Sequence, residues 1–215
     1  MSKNSRKNNI IFFDFDGTIA DTMKQYIYLY NEFAKKNKKP VISVYDYLKL
    51  RNSSFNEVRK KLGYNLLETF YIAKKLKKQL YAAPFSIKIV PGIIDIINEM
   101  HKRNFLIYIV SSNTKKNIQK ILVAHGINHI EEIISTFRGF NKTYFIKKYL
   151  KKHKDYLHAF LISDEYKDIR AANKLDIISL AVTWGANNFN QIHDVTPNFI
   201  INHPSQILTA IEQLT

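Results

Sequence analysis

The sequence predicts an α/β protein, in which a doubly wound parallel sheet is interrupted by an inserted all-helical segment. The run Ile10 to Phe15 is short and almost wholly apolar, which is typical of a strand buried on both faces of a parallel sheet. Between residues 22 and 85, apolar residues recur at helical spacing and no strand-like run intervenes. Beyond Ile93, helical and strand-like segments alternate, as expected for a doubly wound sheet. We therefore expect a core domain made of residues 1–21 and 86–215, and a helical domain made of residues 22–85.

The helical domain is divided by polar and turn-forming residues. Ser53 or Ser54 and Asn65 are predicted helix N-caps, and Pro84 and Pro91-Gly92 mark the return to the core. The predicted helices are Thr22 to about Lys38, Val44 to Leu50, Ser54 to Leu62 and Leu66 to Ala83.

The second half of the chain supplies the remaining elements of the core. Because ligands of doubly wound sheets bind at the carboxyl ends of the strands, the residues that follow each strand are the candidates for a functional site. The predicted elements are helix Ile93 to Arg103, strand Phe105 to Val110, helix Lys115 to His125, a strand near Ile133-Ile134, helix Tyr144 to Lys152, strand Ala159 to Ile162, helix Asp168 to Leu175, strands Ile178 to Val182 and Phe199 to Ile201, and helix Pro204 to Leu214.

Composition narrows the class of function. The net charge is +15, but it comes from 27 Lys against 6 Arg scattered along the chain. Base readout and bidentate phosphate contacts favour Arg, so we expect no nucleic-acid partner. The apolar run after the basic N-terminus is four residues long, too short for a membrane helix or signal peptide. The absence of cysteine excludes thiol chemistry and fits a cytoplasmic location.

Reactive polar residues follow three of the predicted strands. Asp14 and Asp16 end the first strand two residues apart, so their side chains lie on the same side of an extended chain. Two acids held together in a cleft need a cation or a shared proton to offset their repulsion. The other candidates at strand ends or helix starts are Ser111, Ser112, Asn113, Lys142, Asp164 and Asp168.

In these residues the chain resembles the haloacid dehalogenase superfamily of phosphohydrolases, in particular its phosphoglycolate-phosphatase-like branch with a small helical cap. The first motif of the family is matched by Asp14-Phe15-Asp16-Gly17-Thr18, the second by Ser111 and the third by Lys142. The fourth is matched by Asp164-Glu165-Tyr166-Lys167-Asp168, although Ser163 stands where the family usually has Gly. The resemblance covers nearly the whole chain and implies a Rossmann-like core.

The resemblance also implies roles for these residues. Asp14 would attack phosphorus and form an aspartyl-phosphate, and Asp16 would act as general acid and base. Ser111 and Lys142 would donate to the phosphoryl oxygens. Magnesium would be held by Asp14, Asp16 and Asp164, with Asp168 orienting a metal-bound water. The residues expected to contact a small phosphorylated metabolite are Gly17, Thr18, Ser112, Asn113 and, in the helical domain, Arg51; Asn52, Ser53 and Arg59 are further candidates there.

Other functions remain open at this stage. A phosphomutase of the same fold would use the same carboxylates but shield the aspartyl-phosphate from water. A 2-haloacid dehalogenase lacks an acid at the second position of the first motif, so Asp16 argues against it. A basic binding protein with a vestigial enzyme fold is disfavoured because all six catalytic and metal-binding candidates are retained.

Overall fold

The computed structural model describes residues 8–51, 55–136, 141–153, 155–185 and 195–214, with the backbone alone at Arg51 and Phe55. The chain divides into two compact units. The sheet unit comprises the residues up to Ala20 and from Ile89 onward, and the helical unit comprises Asp21–Lys88.

The sheet unit is built on six strands: β1 Ile10–Phe13, β4 Leu106–Ser111, β5 Glu132–Ser135, β6 Ala159–Ser163, β7 Ile178–Val182 and β8 Phe199–Ile201. They form one parallel sheet in the order β5-β4-β1-β6-β7-β8. This finding confirms the predicted doubly wound α/β class. The central strand β1 lies between β4 and β6, with Phe13 opposite Ile109 on one side and Ile162 on the other.

Burial explains why β1 forms the centre of the sheet. All four of its residues are fully buried, and Phe12 stacks on Tyr108 of β4 with ring centroids 5.6 Å apart. An apolar strand with both faces covered by helices has no polar side to turn toward water. The flanking helices are α5 Ile93–Lys102, α6 Lys115–Ala124, α7 Lys142–Lys152, α8 Tyr166–Leu175 and α9 Gln206–Glu212.

Two of these helices begin at polar caps close to the carboxyl ends of strands. The Thr114 hydroxyl accepts a hydrogen bond from the Asn117 backbone N–H at the start of α6. The Asn141 side chain accepts from the Thr143 N–H at the start of α7, which makes Lys142 the first helical residue. The Asn141 cap therefore fixes the start of α7 at Lys142.

The helical unit contains α1 Thr22–Lys36, α2 Val44–Arg51, α3 Phe55–Lys61 and α4 Leu66–Leu80. Asn65 is the N-cap of α4, as predicted, and forms a capping box with Glu68. The apolar faces of the helices share one cluster, in which Tyr30, Ala34 and Leu76 are buried. None of the helices in the described ranges is long and apolar enough to cross a bilayer.

The structure differs from the sequence predictions mainly at the ends of elements. β1 ends at Phe13 rather than Phe15, although the Asp14 N–H continues the ladder to the Ile162 carbonyl at 2.9 Å. Helix α4 ends at Leu80 rather than Ala83, and α9 is shorter than the predicted Pro204 to Leu214. The predicted caps Ser53 and Ser54 lie outside the described residues.

Two short strands at the junction of the units were not predicted. β2 Ala20–Asp21 and β3 Lys88–Ile89 pair in a separate two-stranded sheet. The Val90 N–H also donates to the Ile19 carbonyl at 2.9 Å. Strands of two residues carry no detectable alternation of apolar and polar residues, so they emerge only from the pairing.

Candidate active site

The carboxylate of Asp14 lies at the carboxyl end of the central strand and is 3% exposed. Its Oδ1 accepts a hydrogen bond from the Phe15 backbone N–H at 2.7 Å. The same oxygen lies 2.9 Å from the Lys142 ammonium. Asp14 is therefore held at the middle of the sheet edge, next to the partly buried ammonium of Lys142.

Lys142 bridges two carboxylates. Its ammonium pairs with Asp14 and also donates to Asp168 Oδ2. The Ser163 hydroxyl donates to the same Asp168 oxygen at 2.8 Å and accepts from the Glu165 N–H at 3.0 Å. The position of Lys142 is thus set by an anchored carboxylate on one side and by Asp14 on the other.

Burial and crowding of charge shift the pKa values in this cluster. Burial raises the pKa of Asp14 well above its usual range; the Lys142 ammonium opposes this shift, while Asp168, Glu165 and Asp164 add to it. The pKa of Asp168 is also raised by burial, against the opposing effect of Lys142. Burial alone would lower the pKa of Lys142, but the Asp14 and Asp168 carboxylates raise it. The lysine therefore stays charged, and the cluster still holds more negative than positive charge.

Asp164 is fully buried and is fixed by Thr18. The Thr18 hydroxyl donates to Asp164 Oδ1 at 3.1 Å, and the Asp164 N–H donates to the Thr18 oxygen at 3.1 Å. Gly17, at φ +88°, turns the chain beside this pair, and a Cβ at Gly17 would lie 2.5 Å from Asp164 Oδ2. Only glycine combines that backbone conformation with so close an approach.

Asp16 has a different environment from Asp14, because it is only partly buried. The Asn113 side-chain amide donates to Asp16 Oδ2 at 3.0 Å. The Asn113 backbone N–H donates in turn to the Ser111 hydroxyl at 3.1 Å, and both Ser111 and Asn113 are buried. The turn after β4 therefore connects to the carboxylate of Asp16.

A polar cavity of 560 Å³ opens beside Lys142 and Asp168. Ser112, which is exposed, lies on its wall together with Glu165 and the exposed Arg170 of α8. Because Lys142 and Asp168 lie on its wall, a solute that enters the cavity reaches the charged cluster. It is large enough for a small metabolite.

The structure brings together three of the predicted site residues, Asp14, Lys142 and Asp168, and Asn113 contacts a fourth, Asp16. Thr18 and Asn113 were predicted to contact substrate, yet their polar groups bond to Asp164 and Asp16. Their place in substrate binding stays a prediction. The side chain of Arg51 lies outside the described residues, and the Arg59 Nε–H donates within its own helix, to Asn56 at 3.0 Å.

Three further residues shape the site and had only weak signals in the sequence. Ser163, the departure from the family motif, anchors Asp168. The Trp184 indole N–H donates to the Thr18 carbonyl at 3.1 Å. A Cβ at Gly185 would overlap the side chain of Asp164.

The oxygen atoms of this site suit a hard divalent cation. Within the described ranges, no three His, Cys, Asp or Glu side chains are arranged as a ready metal-binding group. The predicted magnesium site needs only two carboxylates, those of Asp14 and Asp164, and the backbone carbonyl of Asp16 would be its third protein ligand. Burial, and to a smaller extent the neighbouring carboxylates, raises the pKa of Asp14, and a bound Mg²⁺ would favour its ionised form.

Comparison with known proteins decides the family. The family model described as haloacid dehalogenase-like hydrolase matches residues 11–182, which span β1 through β7. The chain belongs to the haloacid dehalogenase-like hydrolase family. This confirms the resemblance found in the four motifs, and it confirms the prediction of an enzyme of the phosphatase type.

The chain matches curated relatives over nearly their whole length. A phosphoglycolate phosphatase of Synechococcus elongatus is 25% identical over 206 residues, which cover 95% of this chain and 97% of the relative. Pyrophosphatase PpaX of Oceanobacillus iheyensis is 22% identical, with 94% of this chain and 95% of the relative covered. These names differ in substrate, so they agree on the class of reaction rather than on the molecule hydrolysed.

Several solved structures share the fold of this chain. A family hydrolase from Streptococcus pneumoniae has a TM-score of 0.69 at 22% identity, covering 95% of this chain and 98% of that one. CbbY from Rhodobacter sphaeroides, solved in complex with phosphate, has a TM-score of 0.72 at 16% identity, with 94% and 98% covered. A Thermotoga maritima protein assigned as a β-phosphoglucomutase has a TM-score of 0.74 at 15% identity, with 96% and 100% covered.

Proposed function

We propose that this phosphatase hydrolyses small phosphate monoesters in two steps, through an aspartyl-phosphate on Asp14. The observation that carries the proposal is the contact of 2.9 Å between the Lys142 ammonium and Asp14 Oδ1, within a buried cluster that Asp168 completes. A carboxylate is a nucleophile without further activation, and a fixed ammonium beside it stabilises the charge of the phosphoryl oxygens.

The two acids of the first motif have environments suited to different tasks. Asp14 is buried beside Lys142, whereas Asp16 is partly exposed and is oriented by the Asn113 amide. Pairs of carboxyl groups in unlike surroundings commonly divide nucleophile from acid and base. Asp16 would protonate the leaving oxygen and then take a proton from the water that hydrolyses the aspartyl-phosphate.

Asp14, Asp164 and the Asp16 carbonyl are the groups that would hold Mg²⁺. When bound, the ion would neutralise charge on the phosphoryl oxygens and favour the ionised form of Asp14. The chain's own residues hold one of these ligands in place, because Thr18 orients Asp164 and the glycines at 17 and 185 leave room for that carboxylate. Asp168 is engaged by Lys142 and Ser163, which favours a role in positioning the lysine.

The proposed substrate class is a small phosphorylated metabolite, with phosphoglycolate as the first candidate. The relative from Synechococcus elongatus, matched over 97% of its length, carries that name. The polar cavity beside Lys142 fits a hydrophilic molecule of this size better than a macromolecule. We place the enzyme in the cytoplasm as a prediction from its lack of cysteine.

The covalent step is tested by trapping the intermediate. The wild-type enzyme and the variants Asp14→Asn and Asp16→Asn are incubated with Mg²⁺ and p-nitrophenyl phosphate, whose leaving group needs no acid. Asp16→Asn should release p-nitrophenol in a burst and accumulate phosphate on the protein, because the second step lacks its base. Peptide mass spectrometry should locate that phosphate on Asp14.

The wild-type enzyme and the two variants together distinguish a phosphatase with Asp14 as nucleophile from the alternatives. Asp14→Asn should lose at least about a thousandfold in turnover and carry no phosphate. Phosphate attached elsewhere, or a retained burst in Asp14→Asn, would refute the assignment of the nucleophile. A stable aspartyl-phosphate in the wild-type enzyme, discharged by a sugar phosphate rather than by water, would indicate a phosphomutase.

A further inference from the structure

The helical unit carries two thirds of the net charge of the chain on one third of its residues. Residues 21–88 contain 15 Lys and Arg against 5 Asp and Glu, an excess of +10, whereas the whole chain has +15. The proposed phosphatase reaction does not use this charge, because the groups assigned to it, from Asp14 to Asp168, all lie in the sheet unit. So uneven a distribution of charge is typical of chains that contact an anionic partner.

Helix α4 of this unit also exposes a contiguous apolar patch. Leu67, Phe70 and Tyr71 are 80%, 59% and 62% exposed, and Leu66 is half exposed. Residues three and four apart are neighbours on a helix, so these side chains adjoin one another over the first two turns. Single exposed apolar residues are ordinary, whereas a contiguous patch marks a contact surface. The helix cannot turn the patch inward, because Ile72 holds its opposite side in the buried cluster of the unit.

The same side of α4 continues as a row of positive charge. Lys74 and Lys78 are exposed and follow Leu67 by seven and eleven residues, which places all three in line along the helix. The row is about 16 Å long. The only acid of α4, Glu68, is held at the start of the helix by its capping box with Asn65. Six residues make up this side, which we call the outer face of α4: Leu66, Leu67, Phe70, Tyr71, Lys74 and Lys78.

The composition of the outer face distinguishes among anionic partners. Nucleic-acid contacts and the cores of protein interfaces favour Arg, but 13 of the 15 basic residues of the unit are Lys. A second copy of the chain would bring two units of +10 together, and this repulsion opposes self-association. Leucine and aromatic side chains beside lysines are instead typical of helices that lie on an anionic bilayer.

We propose that the outer face of α4 attaches the helical unit to the surface of a bilayer that contains anionic lipid. The Lys74 and Lys78 ammonium groups pair with the charged headgroups, and Leu67 and Phe70 enter the boundary between headgroups and acyl chains. The contact is peripheral, since no helix in the described ranges is long and apolar enough to span the bilayer. It uses residues of one helix alone and is independent of the reaction at Asp14.

The test is sedimentation of the full chain with vesicles of two compositions. One is phosphatidylcholine alone, and the other contains about one third phosphatidylserine. The chain should bind the anionic vesicles at least about tenfold more tightly, and about 0.5 M salt should release it because exposed charges are screened. Poly-glutamate, at the same concentration of negative charge, should displace it poorly, since it offers Leu67 and Phe70 no apolar phase. Complete displacement by poly-glutamate would overturn the proposal in favour of an acidic protein surface.

Two matched pairs of substitutions locate the charged part of the contact. Lys74→Gln with Lys78→Gln should weaken binding to the anionic vesicles at least about tenfold. Lys147→Gln with Lys151→Gln removes the same charge at the same spacing from exposed positions of α7 and should change binding by less than about twofold. An equal loss in the two pairs would mean that net charge alone drives binding, which would overturn the proposal.

The apolar part of the contact has its own variant, Leu67→Ser with Phe70→Ser. Binding to the anionic vesicles should weaken at least about tenfold although the charge is unchanged. Far-UV circular dichroism should be the same for the wild type and every variant, because all of the substituted positions are exposed. The proposal is overturned if the wild type does not bind the anionic vesicles saturably, or if this variant binds them as the wild type does.

Discussion

Thr18 and Asp164 hold each other by two hydrogen bonds of 3.1 Å, although they are 146 residues apart in the chain. The hydroxyl donates to the carboxylate, and the backbone N–H of Asp164 donates back to the hydroxyl oxygen. Both residues have 0% exposure, so water cannot replace either bond. One hydroxyl thus aligns the end of β6 with the turn after β1.

Replacing this hydroxyl should weaken the site and the fold together. Thr18→Val keeps the shape but leaves a buried N–H and a buried carboxylate oxygen each without Thr18, which should cost about 1 to 3 kcal/mol of unfolding free energy. The turnover of p-nitrophenyl phosphate should fall at least about tenfold because Asp164 is no longer oriented. Thr18→Ser retains the hydroxyl and should stay within about twofold. Equal activity of the two variants would contradict the positioning role.

Gly185 should be required for the space it leaves beside Asp164. A Cβ there would overlap the Asp164 side chain, so Gly185→Ala must displace the carboxylate or the loop. We expect at least a tenfold loss of turnover and about 1 to 3 kcal/mol of destabilisation. Gly126→Ala is the control, since a Cβ there meets nothing within 4 Å and only the positive φ of 68° is strained. Unchanged turnover in Gly185→Ala would show that the overlap relaxes harmlessly.

Removing the Lys142 ammonium should make the unfolding free energy depend more steeply on pH than it does in the wild type. Without Lys142, the folded-state pKa values of Asp14 and Asp168 rise further, since Lys142 now lowers both. Above the ordinary pKa of 3.8, the unfolded chain releases protons that the folded chain still holds, so the unfolding free energy falls as pH rises. Lys142→Met should lose about 3 to 5 kcal/mol at pH near 7 but little near pH 4.

The measurement is urea denaturation across this pH range, with chelator present so that no divalent cation compensates. Lys147→Met, at an exposed position of the same helix, is the matched control and should keep the shallower pH dependence of the wild type. A loss of stability in Lys142→Met that is the same at both pH values would mean that packing, not charge, is what the lysine supplies.

The sequence was enough to predict the order of the strands along the chain and the polar residues near their carboxyl ends, although β1 ends two residues earlier than predicted. The carboxyl ends of parallel strands meet at one edge of the sheet, which placed Asp14 and Asp164 near each other, whereas the role of Lys142 came from the resemblance to the family. The contacts that hold the site could not be predicted. Ser163 anchors Asp168 and Gly185 makes room for Asp164 through contacts that depend on the relative placement of separate elements. Local patterns encode elements, whereas these contacts require the assembled sheet.

Metal dependence should appear in stability as well as in activity. Turnover should vanish with EDTA and return with Mg²⁺, whereas Ca²⁺, with its larger and looser coordination, should not restore it. Because an ion that binds only the folded state stabilises it, saturating Mg²⁺ should raise the melting temperature of the wild type. Asp164→Asn should lose most of this shift, and Glu131→Gln, at an exposed acid, should retain it. An identical shift in all three proteins would place the ion elsewhere.

Alkaline titration should distinguish the buried phenols of the helical unit from the exposed ones. Burial raises the pKa of Tyr26 to about 12, and Tyr47 adds to this shift. Between pH 10 and 12 the unfolded chain has released the Tyr26 proton and the folded chain has not, so the stability that is fully present below pH 10 falls across this interval, by about 2 kcal/mol. Tyr26→Phe should flatten the fall of unfolding free energy with pH, measured by urea denaturation. Tyr28→Phe, 58% exposed on the same helix, should leave the slope as it is in the wild type. If both variants flatten it equally, the slope does not come from burial of Tyr26.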